Sequence, residues 1–241
     1  MPEILERWKV MPHGPLVDAG QAILTVAGDI PMPLGNFPRR MTVVGLSGGR
    51  TAIYSAIALA DEEMARIEAL GQPTVLVVPS GAHRLDSKIW KSRYPELKVL
   101  APPGALEKVE EAVAVDATAS ILEDPAVRFD VVGGTDGQEA ALMVRREEGA
   151  TLICNDIIGH VTHPHGLGAN IMARLMGFGG EQPQVPRVIR HRVIADDKAL
   201  AAQFRAWAAE PDLRRIIVSH GEPITDNPAG ALLKLAQSLE G

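Results

Sequence analysis

The stretch TVLVVPSGAHRLDS, residues 74–87, runs from a β-branched strand into a loop that carries an imidazole and a carboxylate. Residues 74–78 are apolar without alternation, as expected of a strand covered on both faces. Pro79, Ser80 and Gly81 end the run. His83 and Asp86 follow in the loop, and a short helix is predicted over 86–93.

Working outward, the upstream third is β-rich. Apolar runs at 22–27, 40–46 and 51–57 read as strands, the last two joined across Ser47-Gly48-Gly49-Arg50 as a hairpin. Asp61 is placed to cap a helix whose Met64, Ile67 and Leu70 share a face, with Gly71 closing it. Downstream, Val99 and Leu100 form a brief strand, and 127–132, 139–145 and 150–154 make a second β-rich block. Leu167, Ile171 and Leu175 recur at helical spacing. Asp196 caps a helix with Leu200, Phe204 and Trp207 inward, and residues 215–219 form a last buried strand. Asn227 and Pro228 open a final helix lined by Leu232, Leu235, Ala236 and Leu239. Both β-blocks need apolar cover, so the predicted class is α/β, with two packed sheets between helical layers.

Of the 241 residues, 46% are apolar and 22% charged, an ordinary globular balance, and the expectation is one domain over 1–241. The net charge of −6 argues against nucleic acid, whose binding needs clustered cations. Cys154 is the sole cysteine, so neither an internal disulfide nor a Cys-x-x-Cys site can form. No apolar run approaches the ~20 residues that span a bilayer, and the N-terminal stretch lacks a signal-peptide layout. A cytoplasmic protein without membrane or nucleic-acid partners is therefore expected.

Three segments resemble the metallo-β-lactamase superfamily. The first is 74–87 itself, followed by Tyr94-Pro95-Glu96-Leu97-Lys98-Val99 and Ala101-Pro102-Pro103-Gly104. It is similar to the family's strand, His-x-His-x-Asp-His loop, helix and short strand. The second, Gly133-Gly134-Thr135-Asp136-Gly137 with TLICND at 151–156, is similar to the Gly-His loop and the strand ending in a bridging Asp. The third, IIVSHGEPI at 216–224, resembles the last strand and its His-Gly. LSGGRTAIYSAIAL, residues 46–59, resembles a hydrolase-like subgroup of unknown function with degenerate motifs. The resemblance implies a four-layer αββα sandwich.

It also implies a reduced site. His83, Asp156 and His220 stand at ligand positions, whereas Ser80, Ala82, Ser87, Thr135 and Asp136 stand where a full site has other groups. A two-metal centre holds its ions roughly 3.5–4 Å apart and needs more ligands than three. The expectation is a hydrolase with at most one functional metal. Zinc is the first choice and iron or manganese are also accommodated, since borderline cations take imidazole and carboxylate together. Asp86 and Asp156 are the candidates for handling water. A second cluster, His160, His163 and His165, follows Asp156 closely, and His163 and His165 could join the metal group. The alternative is a metal-free member of the same fold that binds a small molecule or serves as a scaffold. Arg187, Arg190 and Arg192, around His191, either grip an anionic group or form a solvated strand edge. A homodimer through the helix carrying Leu167, Ile171, Met172, Leu175 and Met176 and a helix buried within one copy remain open alternatives.

Overall fold

The computed structural model describes residues 4–31, 36–161 and 182–241. The first sheet contains β1 (Val17–Gly20), β2 (Ile23–Ile30), β3 (Phe37–Leu46), β4 (Arg50–Tyr54), β5 (Gln72–Val77) and β6 (Lys98–Leu100) in sequence order. Its β1–β4 portion is an antiparallel meander, and β4, β5 and β6 are mutually parallel. The second sheet is ordered β10-β9-β8-β7, from β7 (Val127–Val131), β8 (Ala140–Arg146), β9 (Gly149–His160) and β10 (Leu213–Gly221). There β9 and β10 are parallel, and the other pairs are antiparallel.

Period-two alternation sorts each strand's side chains between two layers. Val75 and Val77 of β5 enter the apolar layer between the sheets, with Val44, Tyr54, Leu142, Val144, Ile153 and Ile217. Leu76 points the other way and packs with Met64 and Ile67 of α1 (Asp61–Leu70), Ile89 and Trp90 of α2 (Ser87–Arg93) and Val109 of α3 (Leu106–Glu110). This double burial explains the unbroken apolar run. On the far side, Leu152, Cys154, Ile216 and Val218 pack under α5 (Asp197–Ala208) and α6 (Pro228–Glu240) through Leu200, Phe204, Trp207, Leu232 and Leu235. The layers are therefore α, β, β, α.

Several local readings are refined. α1 is capped at Ala60, not Asp61: the Glu63 carboxylate reaches back to the Ala60 N–H at 3.2 Å, so the chain uses the acid of the first turn. Asp196 does cap α5, accepting from the N–H groups of Lys198 and Ala199, and Asn227 caps α6 with Pro228 at its first position. The arginine-rich stretch is helix α4 (Arg187–Arg192), not a strand edge; it begins directly after Pro186, and Ile189 is its buried contact. β9 runs on to His160, six residues past the predicted end, because its apolar pattern resumes at Ile157 and Ile158. The helix predicted around Leu167–Leu175, with the dimer face assigned to it, and the His163 and His165 pair lie outside the described residues. Among the described residues no helix is long and apolar enough to cross a membrane.

Candidate metal centre

Three elements bring the site together. β5 ends at Val77, and the loop behind it turns back on itself, with His83 N–H donating to Ser80 O at 3.1 Å. On β9, pairing with β10 passes from Cys154↔Val218 to Gly159↔His220, so five residues of β9 face two of β10. Bulges of this kind re-aim side chains, and Asp156 lies within it. His220 is the penultimate residue of β10.

The imidazoles of His83 and His220 converge on one carboxylate oxygen. Asp156 Oδ1 lies 2.7 Å from His220 Nε2 and 3.2 Å from His83 Nε2, and the two Nε2 atoms are 3.3 Å apart. All three side chains are less than a tenth exposed. Donors bound tetrahedrally at about 2.0–2.1 Å from one ion sit roughly 3.3 Å from each other, so two of the three spacings are those of a closed cation shell.

The second nitrogens are also committed. His220 Nδ1 lies 2.6 Å from Pro38 O, at the start of β3. A carbonyl only accepts, so Nδ1 carries a proton, and in the neutral form of the ring the Nε2 lone pair faces Asp156. His83 Nδ1 lies 2.7 Å from Ser55 Oγ, whose hydroxyl can accept the Nδ1 proton in the same way. Three electron-rich atoms then point at one another, an arrangement that a cation or added protons must neutralise. Ser55 itself sits just past β4 with φ +56°, a conformation that a serine adopts at a cost, and its N–H extends the ladder to Val77 O.

Behind Asp156 lies a buried polar network. Glu139 accepts from Asn155 Nδ2 at 3.0 Å, and the same amide reaches Ser80 Oγ at 3.1 Å. Burial pushes the Glu139 carboxyl well above its usual range, and the charge of Asp156 adds to the effect. Burial acts in the same direction on Asp156, but when His83 and His220 are protonated, their charges and hydrogen bonds outweigh it and hold that carboxyl well below its usual range. Of the two neighbouring acids, Asp156 is the anion and Glu139 the neutral partner. Cys154, fully buried, has its thiol pushed up by burial.

Among the described residues, His83, Asp156 and His220 are the only group of His, Cys, Asp or Glu side chains arranged to hold an ion. Asp86 is placed elsewhere: one carboxylate oxygen is ion-paired with Arg39 and the other accepts from Ala58 N–H at 3.0 Å. Thr135 is fully buried and donates its hydroxyl to Val132 O at 2.8 Å, turned into its own loop. His160 Nδ1 lies 2.9 Å from Glu222 O. Sequence reasoning missed Ser55, Glu139 and Asn155. The acid that opens the apolar strand of residues 140–144 was the one visible hint of a buried polar partner.

The αββα layering is shared with solved structures. A metallo-β-lactamase from Erythrobacter litoralis with β-mercaptoethanol in its active site superposes with a TM-score of 0.61 at 15% identity, covering 92% of this chain and 96% of that one. The mono-zinc form of FIM-1 from Pseudomonas aeruginosa gives 0.61 at 14% identity, covering 95% and 97%. A metallo-β-lactamase from Hirschia baltica gives 0.61 at 13%, covering 93% and 98%. Neither a protein-family model nor a curated protein matches the sequence. This chain has the metallo-β-lactamase fold.

Proposed function

We propose that the protein is a metal-dependent hydrolase that holds a single divalent ion on His83, Asp156 and His220. The observation that carries this reading is the convergence of both Nε2 atoms on Asp156 Oδ1 within 3.2 Å. Zinc suits the donor set best, and the structurally similar FIM-1 has been captured with one zinc. Bound there, the ion would supply a Lewis acid and bring the pKa of a water to about 7. The protein's own part is to keep Asp156 ionised, to fix the tautomer of His220 through Pro38 O, and to hold the ring of His83 against Ser55. With Thr135 turned away into its loop, the donors of a second ion are missing among the described residues, which supports one metal rather than two.

A metal-free binding or scaffolding role is the second reading. It is favoured by the 2.7 Å contact of Asp156 with His220, which a protonated imidazole would satisfy without any ion. Elemental analysis of protein purified without chelator or added metal separates the two. Close to one zinc, iron or manganese per chain is expected, with strong loss of occupancy in both Asp156→Ala and His220→Ala. Clearly less than one ion, unchanged after metal is added, would leave the metal-free reading standing.

A further inference from the structure

Three arginines are buried among the described residues: Arg39, Arg40 and Arg84. Arg39 is paired with Asp86 and Arg84 with Glu111. Arg40 has no carboxylate within ion-pair distance among the described residues. It shares a β3 face with Val44 and Leu46, which point into the layer between the sheets. From there its Nη2 crosses to the second sheet and donates to Gly221 O at 2.9 Å, one residue beyond His220. Pro38, two positions away on β3, holds the ring of His220. Arg40 therefore reaches the rim where the His83, Asp156 and His220 cluster lies.

Its hydrogen bonding is incomplete among the described residues: the Nε–H is buried without an acceptor there, as are nitrogens of Arg39 and Arg84, but those two have carboxylate partners. Burial opposes the charge of Arg40, and the opposing influence is that of Glu222, an exposed residue. A guanidinium stays charged in proteins, and an unpaired charge taken out of water is costly to keep. Its planar fork suits carboxylate, phosphate and sulfonate groups.

We infer that Arg40 is the anion-binding residue of the site, recognising an oxyanionic group on a small substrate whose scissile bond lies at the His83, Asp156 and His220 cluster. This rests on the proposed metal site for its place in a reaction, but the anion contact belongs to the protein alone. The test therefore uses metal-free, chelator-treated protein and inorganic phosphate as the probe, with sodium chloride at matched ionic strength as control. The Arg40 Nε–H resonance should shift saturably with phosphate and not with chloride. Arg40→Gln should weaken phosphate binding by calorimetry about tenfold or more, the loss of one charge-assisted hydrogen bond. A resonance that ignores phosphate, or moves equally with chloride, overturns the assignment, as does a folded Arg40→Gln protein of unchanged affinity. Because the resonance is read in the unaltered protein, the test stands even where the variant fails to fold. A positive result with no metal uptake would retire the hydrolase reading and keep the anion subsite.

Discussion

At the residue scale, Ser55 shows how a single hydroxyl can govern an imidazole. It accepts a left-handed backbone and in return places Oγ 2.7 Å from His83 Nδ1. Alanine at this position keeps the backbone problem and removes the hydroxyl. Ser55→Ala is expected to weaken zinc binding roughly 10–100-fold, the usual effect of losing the group that orients a ligand. Titration against a chelating dye would measure it, and wild-type affinity would show that Ser55 does not orient His83. No sequence pattern announces this residue, because a serine after a strand resembles any turn serine. His83, Asp156 and His220 were legible, since each follows or ends an apolar run in a recognisable order. Their partners were not: Pro38 and Ser55 lie 182 and 28 positions away from the imidazoles they contact.

At the element scale, the end of β10 is held by a close backbone approach. Gly221 has φ +120°, and a Cβ there would meet His160 O at 2.0 Å. Backbone atoms on β9 cannot yield as a flexible side chain would, so Gly221→Ala must part the two strands where His220 is carried. We expect a loss of about 2 kcal/mol or more, together with impaired zinc uptake. Urea denaturation of both proteins without metal checks the first part, and a loss under ~0.5 kcal/mol, the range of neutral surface changes, would contradict it. The strands were largely legible because alternation and β-branched runs are local properties. The bulge at Asp156 was not, since a bulge is defined by the pairing strand, and Cys154 through Ile158 read locally as one apolar stretch interrupted by two polar residues. The helical state of Arg187–Arg192 was obscured for a similar reason, with Ile189 alone marking its buried side.

At the scale of the whole molecule, the site draws on both halves of the sandwich. His83 follows a strand of the first sheet, whereas Asp156 and His220 belong to the second. An ion bound to all three would favour the native state by mass action, by about 4 kcal/mol at a thousandfold excess over Kd. For a chain of this length that corresponds to a Tm increase of roughly 10 °C. Calorimetric scans with zinc and with chelator should differ by this order, and the difference should vanish in Asp156→Ala. Equal melting in both conditions would argue that no ion bridges the sheets.

The same division has a practical meaning. The exposed Ala119–Ser120 stretch lies between α3 and β7, so the whole of the first sheet precedes it and the whole of the second follows. A chain severed there would yield one fragment bearing His83, Ser55, Pro38 and Arg40, and another bearing Asp156 and His220. Neither fragment alone owns a complete coordination set. Cation capture would thus report on reassociation of the pieces, turning the proposed metal centre into a built-in sensor of whether the two have found each other.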